Sequence, residues 1–209
     1  MKIDKKSLFF MSAGIVLAGL AVYSTLLSIR GEEDLWDFLD RYRSENFFSF
    51  RGKWTADDGR MLEFSNFKGN HLIVSFVYLE CSVSCPLIVQ KMKLLEKGGD
   101  LPSSLKMIII ILDDLTENPS ALIEYKKRYG INHDRWVLLT SDYDTLDSIA
   151  GSYRIYYQKS NAVNFNFTHS NRILFVDPEG NIKKNIRNLA DFRDSELRTW
   201  IQKEFVISP

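Results

Sequence analysis

The sequence has no excess of either charge, because 27 lysines and arginines balance 27 aspartates and glutamates. A net charge near zero gives no broad electrostatic attraction to nucleic acid, so we predict no nucleic-acid partner. The sequence also has no low-complexity tract and no internal repeat, so a repeat architecture is not expected. What remains is globular composition, with 45% apolar and 26% charged residues over 209 positions, enough for one domain plus an appendage.

Charge is absent altogether from residues 8–29, which read LFFMSAGIVLAGLAVYSTLLSI. At about 1.5 Å per helical residue this run reaches roughly 33 Å, enough to cross the apolar core of a bilayer. Lysines precede the run and acidic residues follow it: Lys2, Lys5, Lys6, Glu32, Glu33 and Asp34. Since positive residues stay on the cytoplasmic side, we predict that residues 1–30 are a cytoplasmic N-terminus and transmembrane anchor. A cleaved signal peptide is the alternative, with Gly19-Leu-Ala21 as a weak cleavage site.

Beyond the anchor, the pattern of apolar residues indicates a linker and one α/β domain. Helical spacing predicts an amphipathic linker helix over residues 31–46. From residue 47 to 209, buried strands alternate with helices, as in a mixed sheet covered on both faces. The predicted strands are Phe47–Trp54, Met61–Phe64, His71–Leu79, Leu105–Leu112, Trp136–Thr140, Ile173–Val176 and Asn181–Lys184. The predicted helices are Ser84–Lys97, Asn118–Tyr129, Asp142–Ala150 and Asp191–Phe205, and residues 152–168 are expected to be irregular.

Cysteine is scarce, and both copies lie in the stretch SFVYLECSVSCP. Cys81 and Cys85 follow the first long apolar strand and precede Pro86, which suits the first turn of a helix. A thiol pair after the first central strand and at the start of a helix is typical of a thioredoxin-like layout. In open α/β sheets, ligand-binding and catalytic residues lie at the carboxyl ends of the strands, where Asp113 and Asp114 are also predicted to lie. Residues four apart share a helix face, and a helix N-terminus is expected to lower a thiol pKa.

Three interpretations of the thiol pair compete. The first is a structural pair, either two buried cysteines or a static disulfide, which would close a loop of about five residues and add little stability. A redox couple would usually have two residues between the cysteines, whereas Cys81 and Cys85 have three. Thioredoxin-type redox enzymes also place a proline before a later strand, and Phe167–Asn171 contains none. That segment contains His169 instead, and two thiolates with one imidazole suit copper, especially Cu(I), whereas zinc more usually has a fourth protein ligand.

The other two histidines are predicted to lie away from the thiols. His71 opens the first central strand, at the end opposite the cysteines, and we interpret it as a surface residue. His133 lies in a helix–strand loop at the wrong end of its strand, and we interpret it as a solvated turn residue. His169 leads into a strand from the irregular segment, so it is the histidine that can approach the thiols.

Together these motifs resemble the SCO/SenC proteins, which are membrane-anchored, thioredoxin-fold copper proteins that help assemble the CuA site of cytochrome c oxidase. The resemblance rests on Tyr78 before the CxxxCP motif, Asp113 after the next strand, and His169 before a strand and an Asp-Pro-x-Gly turn. It covers residues 47–205, and the predicted anchor agrees with it. The sequence departs from the family at Glu80, at Ser82-Val83 and at Asp114, where a histidine, Pro-Asp and a proline are common.

The resemblance implies a metallochaperone rather than an enzyme. Copper, as Cu(I) or Cu(II), would be bound by Cys81, Cys85 and His169. Asp113 would lie beside the site and orient His169 or a backbone N–H, or it would be a simple helix cap or turn residue. Implied partners are subunit II of cytochrome c oxidase or another copper protein, a copper donor chaperone, and the membrane. The implied location is a bacterial inner membrane, single-pass with the C-terminal domain in the periplasm, or the equivalent mitochondrial inner membrane.

The alternative to copper delivery is a thiol–disulfide reductase that acts on the disulfide of a copper-protein precursor. In that case Cys81 would attack the substrate disulfide and Cys85 would resolve the mixed disulfide. The absence of a proline before the later strand and the presence of His169 favour copper.

Overall fold

The structure described is a computed structural model of the chain. It describes Ser24 and residues 46–79, 81, 84–97, 101–115, 118, 120–132, 134–155 and 172–205. The chain divides into two compact units, Met1–Ser44 and Glu45–Pro209. The predicted anchor and linker helix therefore lie outside the described residues, apart from Ser24 and Asn46. In the part of the chain that is described, none of the helices has both the length and the apolar character of a membrane span.

A mixed sheet forms the centre of the second unit, which confirms the predicted α/β class. Its seven strands, within the described ranges, lie in the order β2-β1-β5-β4-β3-β6-β7. They are β1 (Trp54–Ala56), β2 (Met61–Leu62), β3 (His71–Val77), β4 (Leu105–Ile111), β5 (Trp136–Thr140), β6 (Ile173–Val176) and β7 (Ile182–Ile186). β3, β4 and β5 are parallel, and the strands on either side of them pair antiparallel. The parallel strands are almost continuous apolar runs because both of their faces are buried.

Helices cover both faces of the sheet, as predicted. They are α1 (Ser84–Lys97), α2 (Ser120–Tyr129), α3 (Tyr143–Ser152) and α4 (Asp194–Trp200). Short 3-10 turns form at Phe47–Ser49, Phe64–Phe67 and Leu189–Asp191, and a π-helical turn at Ile201–Phe205 follows α4. Residues of α1, α2 and α4 share one apolar cluster with the sheet, whereas α3 and the aromatic residues of the N-terminal segment share the other.

The prediction of a strand over Phe47–Trp54 is wrong. Phe47–Ser49 is a 3-10 turn capped by Asn46, whose side-chain oxygen accepts the Phe48 N–H at 3.0 Å. The Phe47 ring is fully buried and stacks on Phe64 with the ring centroids 4.5 Å apart. This aromatic packing and the cap stabilise the segment without pairing to a strand. Only the last residue of the predicted strand therefore belongs to β1.

The prediction of one closing helix over Asp191–Phe205 is also wrong, because α4 begins only at Asp194. Phe192 is 3% exposed, and its φ of −78° and ψ of 85° lie outside the helical region. Burial of this ring draws the backbone out of helical geometry just before α4.

The two ends of the sheet carry different features. At the end that we call the thiol pole, β3 ends at Val77, β4 ends beside it at Ile111, and β6 begins. At the other end, the turn pole, the turn Asp177–Gly180 joins β6 to β7. The chain enters the domain at the turn pole, because the Phe47 N–H donates to the Gly180 carbonyl at 2.7 Å.

Candidate metal centre

Cys81 and Cys85 lie at the thiol pole, between the end of β3 and the first turn of α1. Both are free thiols, and they are 6% and 2% exposed. Cys81 precedes the helix instead of lying on it, so the prediction that the two cysteines share a helix face does not describe their geometry. The Cys85 N–H donates to Cys81 Sγ at 3.3 Å, and Ser84 Oγ lies 3.3 Å from the same sulfur. The Cys81 side chain therefore accepts a hydrogen bond from a backbone N–H of the first helical turn, as a capping side chain does.

The Cys85 sulfur has a backbone donor as well. The Tyr78 N–H donates to Cys85 Sγ at 3.5 Å. Backbone amides aimed at both sulfurs favour negative charge on the pair. The arrangement thus suits sulfurs that become thiolates, either as metal ligands or as nucleophiles.

The expected lowering of a thiol pKa at the helix start is wrong for Cys85. Burial raises the pKa of the Cys85 thiol, and its hydrogen bond with the Cys81 sulfur and the charge on that sulfur raise it further. The Tyr78 N–H opposes these effects but does not overcome them. Desolvation outweighs the helix N-terminus here because the side chain is almost completely buried. Burial therefore favours the protonated thiol of Cys85 unless a cation replaces the proton on the sulfur.

Asp113 fixes the backbone that leads to Cys81. Its carboxylate accepts the Leu79 N–H at 2.8 Å, and its carbonyl accepts the Thr140 hydroxyl at 2.8 Å. The Leu79 carbonyl in turn accepts Arg128 Nη1 of α2 at 3.3 Å. Because the Leu79 N–H donates its hydrogen bond to a side chain, β3 ends at Val77 and not at Leu79 as predicted. Of the roles considered for Asp113, the one seen among the described residues is a hydrogen bond to a backbone N–H. The next residue, Asp114, is exposed.

The predicted third ligand, His169, lies outside the described residues, as do Glu80, Ser82-Val83 and His133. The segment that contains His169 leads into β6 at the thiol pole, where Ile173 pairs with Ser75 of β3. Among the described residues, no three His, Cys, Asp or Glu side chains group closely enough to hold a metal ion. His71 lies at the turn pole, as predicted, but it is half-buried, and its Nδ1 is 3.4 Å from Ser104 Oγ.

Sequence reasoning missed Tyr125 of α2. It is 1% exposed and belongs to the same apolar cluster as both cysteines. Burial raises the pKa of Tyr125, and among charged groups the Cys85 thiol contributes most to the rise. At helical spacing a tyrosine counts simply as a core residue, so the only signal in the sequence was a hydroxyl within the apolar stripe of a helix.

Comparison with known proteins agrees with this geometry. The family model described as SCO1/SenC matches residues 44–201. An SCO2-like protein of Rickettsia conorii is 21% identical over 210 residues, which cover 98% of this chain and 100% of that protein. The structure of Arabidopsis thaliana ScoI with copper bound matches with a TM-score of 0.61 at 22% identity, over 75% of this chain and 97% of that chain. The structure of BsSco, a Sco-family cytochrome c oxidase assembly protein with a disulfide switch, matches with a TM-score of 0.64 at 16% identity, over 77% of this chain and 95% of that chain. The fold is therefore that of the Sco structures, and with three quarters of its length matched by the family model, this chain belongs to the SCO1/SenC family.

Proposed function

We propose that this chain binds copper through Cys81, Cys85 and His169 and delivers it during assembly of the CuA site of cytochrome c oxidase. The observation that carries the proposal is the pair of free, buried thiols at the thiol pole, each with a backbone amide directed at its sulfur. Two relatives point the same way, since one Sco structure contains copper and another is described as an assembly protein of the oxidase.

The donor set fits a soft monovalent ion. Thiolate sulfur and imidazole nitrogen are ligands that copper accepts, and thiolates favour Cu(I). Both thiols lose their protons when the ion binds, so loading releases protons and is pH dependent. Copper supplies the positive charge that lets the buried Cys85 sulfur give up its proton. His169 would complete the set from the segment that leads into β6.

Copper is cargo in this proposal, and the residues of the chain hold and release it. Asp113 holds the Leu79 amide and Arg128 holds the Leu79 carbonyl, so the backbone before Cys81 is fixed on both sides. Transfer proceeds by ligand exchange with thiolates of a recipient, namely subunit II of the oxidase or another copper protein. A separate copper donor chaperone would load the site. Oxidation of the two thiols to a disulfide would prevent loading, so reduction of the pair gates it.

A reductase function is the second candidate, and the hydrogen bonds of Cys81 favour it. An amide and a serine hydroxyl beside Cys81 Sγ suit a thiolate nucleophile. Cys81 would attack a substrate disulfide and displace one substrate thiolate, and Cys85 would then attack Cys81 Sγ and displace the second. The pair is thereby oxidised by two electrons to a disulfide while the substrate disulfide is reduced to two thiols. The disulfide switch of BsSco shows that a Sco relative undergoes thiol oxidation.

We also propose that residues 8–29 anchor the chain in a membrane, with the second unit on the exported side. That side is the periplasm of a bacterium or the equivalent compartment of a mitochondrion. The uncharged run and the lysines before it support this proposal. Recovery of the full-length chain in membranes after alkaline carbonate washing tests it, and release into the soluble fraction would overturn it.

Anaerobic titration of the reduced, full-length chain with Cu(I) against a competing chelator tests the copper site. We expect one tightly bound Cu(I) per chain. The His169→Ala variant should bind at least about tenfold more weakly, because it loses one of three ligands. The matched control His133→Ala removes a histidine that lies between α2 and β5 in the sequence, and it should bind as the wild type does. If wild type binds no Cu(I) while its thiols still reduce a disulfide substrate, the reductase is the better assignment.

A further inference from the structure

A buried threonine at the thiol pole has no part in the chemistry proposed so far. Thr140 is the last residue of β5, and it is completely buried. Because Leu139 pairs with Ile110, Thr140 lies level with Ile111, where β4 ends at the thiol pole. A buried hydroxyl destabilises the fold unless it forms hydrogen bonds, so an apolar side chain would suit this position better. The presence of a hydroxyl is therefore to be explained by its partners.

The hydrogen bonds of this hydroxyl go to the loop between β4 and α2. Thr140 Oγ1 donates to the Asp113 carbonyl at 2.8 Å and accepts the Leu115 N–H at 3.4 Å. Asp113 and Leu115 belong to neither β4 nor α2. One side chain thus holds this loop at two points, one on either side of Asp114.

The same loop reaches the turn that carries Cys81. The Asp113 carboxylate accepts the Leu79 N–H at 2.8 Å. The Cys81 N–H donates to the Tyr78 carbonyl at 3.5 Å, so Leu79 lies inside the turn that this bond closes. A chain of hydrogen bonds and backbone therefore connects the end of β5 to Cys81.

The orientation of the Thr140 side chain agrees with this connection. Successive residues of a strand point to opposite faces, and Trp136 and Leu138 belong to the apolar cluster that contains both cysteines. Thr140 continues that alternation, so its hydroxyl lies on the thiol side of the sheet. The next residue, Ser141, is 1% exposed, but its hydroxyl donates to the Lys53 carbonyl at 2.6 Å, just before β1. Two adjacent buried hydroxyls therefore hold different segments, and that of Thr140 leads to the site.

We infer that Thr140 is a positioning residue of the proposed copper site, which fixes Cys81 through Asp113 and Leu79. The inference rests on the proposed function, because it names a residue that prepares one of the proposed ligands. Since Asp113 lies outside the strands and helices, its carboxylate is held on the Leu79 N–H by contacts such as those with Thr140. Without them, the backbone before Cys81 would have more conformations to lose when an ion binds, and ordering of this kind lowers affinity.

The first test measures Cu(I) binding by Thr140→Val in the reduced, full-length chain, against a competing chelator. Valine keeps the shape of threonine and removes both hydrogen bonds, so affinity should fall about tenfold, as for residues that orient metal ligands. Thr140→Ser keeps the hydroxyl and should restore binding to within about threefold of wild type. The matched control Ser141→Ala removes the adjacent buried hydroxyl and should change the affinity by less than about twofold.

A double-mutant cycle separates this role from a general loss of stability. If Thr140 acts through Asp113, Thr140→Val should weaken Cu(I) binding no further once Asp113→Ala is present, whereas independent effects would multiply.

Hydrogen exchange of the reduced, copper-free chain gives a readout that does not involve the metal. The Leu79 amide should exchange at least about tenfold faster in Thr140→Val than in wild type, and at the wild-type rate in Ser141→Ala. Thr140→Ala takes the place of Thr140→Val in every comparison if the valine variant does not fold, because it places no methyl group against the Asp113 carbonyl.

Three results would overturn the inference while the proposed function stands. They are wild-type Cu(I) affinity in Thr140→Val, an equal loss of affinity in Ser141→Ala, and fully multiplicative effects of Thr140→Val and Asp113→Ala. Unchanged exchange of the Leu79 amide in Thr140→Val would also overturn it. Failure of the wild type to bind Cu(I) would overturn the proposed function and the inference with it.

Discussion

At the scale of single residues, the hydrogen bonds between the site and the backbone were harder to predict than the position of the thiols. Cys81 and Cys85 could be placed at the end of β3 because the apolar run before them predicts a buried strand. The contact between Asp113 and the Leu79 amide could not be predicted, because it depends on the register of β3 against β4, in which Val77 pairs with Ile111. The sequence marks the strand ends but does not contain this register.

We expect Asp113→Ala to destabilise the fold by about 1–3 kcal/mol, because it leaves the Leu79 N–H without its charged acceptor. Asp147→Ala is the control, since Asp147 is an exposed aspartate of α3, and its effect should stay within about 0.5 kcal/mol. Urea unfolding of the two variants and the wild type measures the difference. Equal effects of the two substitutions would show that the hydrogen bond to Leu79 contributes nothing to stability.

The electrostatic prediction for the thiols failed for a physical reason that is also local. The argument from the helix N-terminus considers charge and dipoles, whereas the pKa of Cys85 is set first by burial. The depth at which a side chain lies is a property of the packed structure, and the motif CxxxCP does not specify it. The same limit explains why Tyr125 was not recognised as a buried residue of the apolar cluster that contains both cysteines.

At the scale of secondary-structure elements, length and burial decided which predictions were correct. The long apolar strands β3, β4 and β5 and the helix α1 were predicted to within a residue or two, because each carries many residues of one pattern. The short strand β1 was not, since it has only three residues and is defined by its pairing with β2 and β5. Pairing and aromatic packing between distant segments are invisible to a local pattern.

Gly180 in the turn between β6 and β7 gives a test of such a distant contact. Its φ is +93°, and a Cβ there would lie 2.6 Å from Phe48 Cδ2 and also against the Asn46 side chain. We expect Gly180→Ala to lower the free energy of unfolding by about 3 kcal/mol, of which 1–2 kcal/mol reflects the backbone conformation and the rest the displaced neighbours.

Gly59→Ala is the matched control for Gly180→Ala. Gly59 also has positive φ, at +81°, but no atom lies within 4 Å of its added Cβ. It should therefore lose only the backbone component, about 1–2 kcal/mol. Thermal or urea unfolding measures both variants. If they lose the same amount, the contact of the turn with residues 46–48 does not constrain the fold.

At the scale of the whole molecule, burial of ionisable thiol and phenol groups makes stability depend on pH. The pKa values of Cys85 and Tyr125 are raised in the folded state from ordinary values of 9.0 and 10.0. Below pH 9 both groups are protonated whether the chain is folded or unfolded, so they have no effect on stability there. Above their ordinary pKa values the unfolded chain releases the protons and the folded chain retains them, so stability falls as pH rises.

We therefore expect the free energy of unfolding of the reduced, copper-free protein to fall from about pH 9 upward. Each group contributes a slope of up to about 1.4 kcal/mol per pH unit. Cys85→Ser removes the thiol and should make the fall shallower between pH 9 and pH 10, relative to wild type. Urea unfolding at several pH values measures both slopes. Identical slopes would show that the Cys85 proton is not retained by folding.

The two poles of the sheet separate the segment through which the chain enters the domain from the pair of cysteines. Asn46 and Phe47 meet the turn pole, whereas the sulfurs lie beyond the other end of β3, a strand of seven residues that spans about 20 Å. If residues 8–29 anchor the chain and the thiols exchange copper, as we propose, attachment and exchange would not compete for the same surface of the domain.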